Sequence, residues 1–179
     1  QIRVAVAAGL FLVGLSYLAK GEKRTYLLFS LAAACFHYSA FVLPLLTFFG
    51  SRPLTLRGRL VIGAIPLLGY LLFFGGFDPI ASLPIPWIQE KLWIYERLRD
   101  SGMAGDAINV FNIVYVMRLL VFYLLLWKYD IIKEQAPNLS LLLKVFAISY
   151  FCFTSLGALP VMAFRYAELF GVVEIVMVP

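Results

Sequence analysis

Runs of about twenty apolar residues recur along this chain, and each is long enough to cross a lipid bilayer. The hydrocarbon core is roughly 30 Å thick and a helix rises about 1.5 Å per residue, so about 20 residues suffice. Five such runs are present: Val4 to Ala19, Tyr26 to Phe49, Leu60 to Phe77, Ala107 to Trp127 and Leu139 to Leu159. A partial sixth starts near Val161. Backbone groups in lipid must find their partners within the segment, which makes the runs helices. A barrel would instead show strands of about 10 residues with alternating polarity. Composition agrees, with 63% of the 179 residues hydrophobic and 14% charged. Ordinary globular domains carry about 45–50% apolar and about 25% charged residues. The expected fold is all-α: a polytopic integral membrane protein forming a single transmembrane domain over residues 1–179. The chain opens on Gln1 and stops at Pro179 within an apolar run, so it reads as a fragment of a longer polytopic protein.

The connections differ in kind. Lys20 to Thr25 and Ser51 to Arg59 are short and basic, and Lys128 to Asn138 is mixed in charge. Residues 78–106 form a longer loop, expected outside the membrane, opening with Asp78-Pro79 and then Pro84-Ile85-Pro86. Within it, Trp87 to Arg99 has helical periodicity. Trp87, Ile88, Leu92, Ile94, Tyr95 and Leu98 gather on one side, with Gln89, Glu90, Glu96, Arg97 and Asp100 opposite. This predicts an amphipathic helix at the interface, where tryptophans favour the headgroup zone. It rests on the bilayer or roofs an active-site mouth.

The net charge of +5 comes from small basic clusters beside apolar runs. Nucleic-acid binding would need one concentrated basic face, so no nucleic-acid partner is expected. Treating every run as a crossing, the basic residues divide almost evenly between the two sides. We favour the arrangement with Arg3, the Arg52/Arg57/Arg59 loop and the Lys128/Lys133 loop inside, and residues 78–106 outside. Cys35 and Cys152 lie inside apolar runs and have no metal-ligand spacing.

Ionisable groups within the hydrocarbon are costly, so each invites an explanation. His37 and Arg118 both lie roughly 18 Å along their runs, measured from Thr25 and Asp106, which suggests one polar layer. Each has a packing alternative: His37 hydrogen-bonds a neighbouring helix, and Arg118 snorkels or pairs with a carbonyl. Arg165-Tyr166-Ala167-Glu168 follows Gly157 and Pro160, and the fifth helix should end near that proline. Arg165 and Glu168, three apart, share a helical face. They either neutralise one another or offer a guanidinium, whose planar fork suits a phosphate. Glu174 is a further acid in an apolar stretch and a candidate partner for Arg118. No Gly-rich phosphate loop, nucleophile elbow, metal cluster or Asp-x-Asp pair is present, and no cofactor or metal is expected.

Phe36-His37-Tyr38-Ser39-Ala40, after Leu31-Ala32-Ala33-Ala34, resembles the FHxSA stretch of EpsG-like polysaccharide polymerases, relatives of the Wzy O-antigen and capsule polymerases. Arg165-Tyr166-Ala167-Glu168-Leu169-Phe170, ending in Val178-Pro179, is similar to that family's R-x-x-x-(Y/L)-F … P stretch. The resemblance implies an enzyme joining oligosaccharide repeat units carried on undecaprenyl diphosphate, at the outer face of the bacterial inner membrane. A chain-length regulator is a further candidate partner. Such glycosyl transfer needs a cation at the leaving phosphate and a base for the attacking hydroxyl. Arg165 is the first candidate for the cation and Arg118 the second. His37 is the candidate base, with Glu168 its rival, and Tyr166 and Glu174 are further polar candidates. On straight helices His37 would lie well below Arg165, so joint action requires a water-filled cavity or a broken helix. The competing readings are a transporter or flippase for a lipid-linked or anionic solute, and a non-catalytic membrane subunit.

Overall fold

The computed structural model describes residues 2–76, 82, 84–101, 108–157 and 159–177; within 86–100 it describes the side chains of Pro86, Gln89, Glu90, Leu92, Trp93, Ile94, Arg97 and Leu98. All regular secondary structure among the described residues is helical, and no strand occurs among them. The elements are α1 (Ile2–Ala19), α2 (Lys23–Phe36), a 3-10 helix (Tyr38–Phe48), α3 (Leu56–Phe74), α4 (Pro86–Asp100), α5 (Ile113–Trp127), α6 (Tyr129–Ile132), α7 (Leu139–Ser155), α8 (Pro160–Gly171) and α9 (Glu174–Met177). The expected all-α class holds. Of these, α1 and α3 are long and apolar enough to cross a membrane by length and composition.

At the centre stands α7. Its residues are buried around the whole circumference, from Leu139 and Leu143 through Phe146 and Tyr150 to Phe153. A helix apolar on every side is one that its neighbours enclose. Glycines let the partners come close. A Cβ on Gly69 of α3 would clash with the Thr154 hydroxyl, so the α3 backbone lies directly against α7. The outer faces of α3 and α5 are apolar and exposed: Leu60, Val61 and Leu71 on one, Met117, Leu120 and Leu124 on the other. Uncovered apolar surface on this scale is what a lipid-facing helix presents.

The second apolar run departs from expectation. As one straight helix, Tyr26 to Phe49 would separate its ends by about 35 Å. Instead α2 stops at Phe36, His37 is extended (φ −146°, ψ 124°), and the chain continues as the 3-10 helix. It also reverses. The Tyr26 hydroxyl, near the start of α2, donates to the Leu43 carbonyl at 2.6 Å. Beyond the 3-10 helix, the Ser51 hydroxyl donates to the Ala19 carbonyl at 3.1 Å, just ahead of α2. The run is therefore a hairpin with His37 at its tip, and both of its ends lie on one side of the molecule.

That fold-back gathers the basic connections. Ser140 Oγ donates to the Ser51 carbonyl at 2.9 Å, and Lys144 Nζ to the Gly50 carbonyl at 2.5 Å. Leu54 N–H donates to the Tyr129 hydroxyl at 2.9 Å, and Arg59 pairs with Asp130 at 2.8 Å. Asp130 also accepts from Lys133, and that bond, with Arg59 beside it, holds its carboxyl below the usual carboxylate range. The Lys20–Thr25, Ser51–Arg59 and Lys128–Asn138 connections thus meet at one end. The favoured arrangement had put the first of these opposite the other two, and the hairpin corrects it.

At the other end the Tyr70 hydroxyl donates to the Val110 carbonyl at 3.0 Å, and Ile108 N–H to the Gly157 carbonyl at 3.1 Å. Helix α4 covers the predicted amphipathic stretch. Its Leu92 is buried against Leu159, with Ile85 and Met162 packed around them. It therefore rests on the first turn of α8. Asp78-Pro79 and residues 102–107 of the long loop lie outside the described residues. The fifth run ends as α7 at Ser155, before Pro160, as expected. Pro160 begins α8 instead of kinking a helix, because at a first position its missing N–H costs nothing. The partial sixth run is itself interrupted, since α8 closes at Gly171 and α9 opens at Glu174.

Candidate functional site

The hairpin tip carries the first cluster. His37 caps the 3-10 helix: its Nδ1 accepts from the Ser39 N–H at 3.3 Å and lies 2.5 Å from the Ser39 hydroxyl. With Nδ1 committed as acceptor, the neutral ring carries its proton on Nε2 and presents a donor there. The His37 ring stacks on Tyr38, with centroids 4.9 Å apart. The Arg165 guanidinium lies over the other partner in this stack, 5.4 Å from the Tyr38 ring centre. Sequence reasoning required a water-filled cavity or a broken helix before His37 and Arg165 could act together. The break falls at His37 itself.

Arg165 makes no ion pair among the described residues. Of the two readings open for Arg165 and Glu168, the mutually neutralising pair is not formed. Arg165 turns toward Tyr38, while Glu168 is exposed and opens into a separate cleft. Tyr166, between them, points elsewhere again. It lines an almost wholly apolar cavity of about 390 Å³ with Val42, Leu45 and Phe49 of the hairpin region and Phe151 of α7.

The second cluster surrounds Arg118. Its Nε donates to Glu174 Oε2 at 2.5 Å, and the guanidinium lies 5.2 Å from the Tyr115 ring centre and 5.9 Å from that of Phe146. The pairing foreseen as an alternative for Glu174 is present. Gly171, at the close of α8, makes room for it: a Cβ there would sit 2.7 Å from Arg118 Nη2 and 3.1 Å from Ser149 Oγ. Ser149 Oγ donates to the Ala167 carbonyl at 2.7 Å, tying α8 to α7 beside the break. His37 is not among the residues lining the hollows around Arg118, so the single His–Arg layer divides into two sites.

Sequence reasoning missed Tyr38 and Ser39 as members of the site, although both stand inside the FHxSA-like stretch. The available signal was a serine two residues after a histidine, with Pro44 ahead, which reads as a capped break in a run that hydropathy treats as continuous. Among the described residues no group of three His, Cys, Asp or Glu side chains could hold a metal ion.

Exposed apolar faces enclosing a few interior polar groups, at breaks in the helices, define a helical membrane protein. The chain belongs to the EpsG family, whose model matches residues 1–179, and so to the membrane proteins of polysaccharide biosynthesis. No curated protein and no solved structure matches the chain.

Proposed function

We propose that the protein is a glycosyltransferase-type polymerase that joins undecaprenyl-diphosphate-linked repeat units at the outer face of the bacterial inner membrane, crossing that membrane several times. The observation that carries this reading is Arg165. It is a guanidinium held over an aromatic ring at a helix break, with no carboxylate among the described residues to neutralise it. An interior cation without a protein anion suits a ligand that brings its own charge, and a diphosphate leaving group does so. His37, stacked on the same Tyr38 ring, supplies a second polar group to that ligand. The apolar cavity beside Tyr166 offers room for part of the donor's isoprenoid chain.

Sidedness supports the same reading. With the hairpin ends together, Lys20, Lys23, Arg24, Arg52, Arg57, Arg59, Lys128 and Lys133 all belong to connections at one end. By the positive-inside rule that end is cytoplasmic. The hairpin tip then stands about 21 Å above it, the rise of α2, and Arg165 roughly 7 Å below the start of α8. In this reading the Arg165 cluster lies toward the outer leaflet with α4 above it. Cysteines substituted for Lys20 and Arg52 should label together from the cytoplasmic side; labelling from opposite sides would reverse the argument.

The second reading, transport of a lipid-linked or anionic solute, draws on the two interrupted elements, since transporters build their sites from broken helices. One assay separates the two. Purified lipid-linked repeat units supplied to the full-length protein in nanodiscs should yield a ladder of longer lipid-linked products. Movement of intact units across proteoliposomes without any ladder would establish transport instead.

A further inference from the structure

Two polar groups leave α8 in different directions. Arg165 faces Tyr38, whereas Glu168, one turn later, faces an open cleft of about 610 Å³ between α1, α5 and the α8–α9 break. The volume is in the range of ligand sites. Val4, Ala5 and Ala8 of α1 form one wall, Val172 and Ile175 another, and the Arg118–Glu174 pair lies within. Because Arg118 engages Glu174, Glu168 is the carboxylate in this cleft without an ion pair among the described residues. Aliphatic walls ending at one available carboxylate match an amphiphile whose polar head carries a hydroxyl.

The inference rests on the polymerase reading, which requires two lipid-linked substrates to be held at once. We infer that this cleft receives the acceptor, its isoprenoid against α1 and its attacking hydroxyl hydrogen-bonded to Glu168. The donor diphosphate occupies the Arg165 side of the same helix. Arg165 and Glu168 leave α8 from Cβ atoms about 5–6 Å apart, so the assignment requires the acceptor hydroxyl and the donor's anomeric carbon to meet across this stretch of α8, between the two hollows. As the acceptor oxygen bonds the anomeric carbon, its proton passes to the Glu168 carboxylate. The bond from that carbon to the diphosphate oxygen breaks, and its electron pair leaves with the diphosphate. Glu168 then returns the proton to water. The base is therefore assigned to the cleft, and His37, whose Nδ1 engages Ser39, to the cap of the 3-10 helix.

The test uses the full-length protein in nanodiscs, a preformed radiolabelled lipid-linked chain as donor, and unlabelled single lipid-linked units as acceptor. Ala5→Trp, which fills the cleft, should raise KM for the single units at least tenfold while KM for the chain stays within twofold. Ala8→Leu, a smaller intrusion, should shift the same constant in the same direction and covers the case in which the tryptophan does not fold. Glu168→Gln should lower kcat at least 100-fold with both KM values within threefold. An unchanged acceptor KM in the folded cleft variants, or a rise confined to the donor, overturns the assignment. So does a wild-type kcat in Glu168→Gln. Absence of transfer by the wild-type protein would instead remove the polymerase reading on which the assignment rests.

Discussion

Arg118 and Arg165 are two arginines inside the same helical body, and their surroundings are opposite. Arg118 has a carboxylate at 2.5 Å, two aromatic rings within 6 Å and a glycine that yields it space. Arg165 has an aromatic ring and, among the described residues, no carboxylate. A charge that is paired and packed has been accommodated by the protein. A charge held in position without a counter-ion is set for something that arrives. Both arginines stand in largely apolar helices, so what separates them is their partners, and partners are what a single sequence conceals.

The largest effect should come from removing the open cation. Arg165→Ala should lower polymer formation about 100–1000-fold, the range for deleting one preorganised group at a developing anion. The protein should remain in the membrane, and single repeat units should accumulate on the lipid. Arg165→Lys keeps the charge but loses the fork, so it should recover only part of the rate. Full-length polymer from an inserted Arg165→Ala variant would erase the contrast with Arg118.

Removing the counter-ion of the closed pair should act on stability. Glu174→Gln strands Arg118 among Tyr115, Phe146 and Gly171, and should cost on the order of 2–4 kcal/mol in unfolding measured in bicelles. The upper end of the buried-pair range is not expected, because the two side chains retain 21% and 28% exposure. Replacing both partners, as Arg118→Leu with Glu174→Leu, should return stability to within about 1 kcal/mol of wild type, since an apolar pair of similar size removes both desolvation costs. If the double variant is as unstable as the single, the pair is more than a mutually neutralised structural contact.

The same contrast explains which features were legible in the sequence. Helical class, the positions of most helices, the halt before Pro160 and the α4 segment all follow from hydropathy and period, because burial in lipid or protein imposes those patterns directly. The Arg118–Glu174 pairing was legible as an alternative, since an acid in an apolar stretch needs a cation. The hairpin was not. Tyr26 to Phe49 is apolar along most of its length, so hydropathy alone does not tell a crossing from a fold-back. Local bonds decide between them: Ser39 to His37, Tyr26 to Leu43, and Ser51 to Ala19. Which of the two readings of Arg165 with Glu168 applies was not legible for a related reason, because helical spacing makes neighbours available without obliging their side chains to meet.

His37 can be tested at both of its nitrogens. Asparagine offers a side-chain oxygen to the Ser39 N–H and is favoured at helix caps, but it cannot reproduce an imidazole Nε2–H at the same reach. His37→Asn should therefore fold like wild type and lower kcat about tenfold, equivalent to about 1.4 kcal/mol. An unchanged rate would make His37 a cap and nothing more, leaving Arg165 alone at the diphosphate.

The smallest effect tests the hairpin. Tyr26→Phe removes the hydroxyl that donates to the Leu43 carbonyl at 2.6 Å, and both groups are buried. The loss should be about 1 kcal/mol for the bond, with any further cost coming from a carbonyl left without a donor. Hydrogen exchange should quicken in the 3-10 helix and at the Ser39 amide, while the amides of α5 and α7 around Arg118 keep their protection. That asymmetry is the informative result. It would mean that the tip presenting His37 and Tyr38 to Arg165 can loosen independently of the packed pair, as a site that admits a large lipid-linked substrate must do. Uniform exchange across both regions would mean that they form one cooperative unit, with the open and closed arginines sharing a single fate.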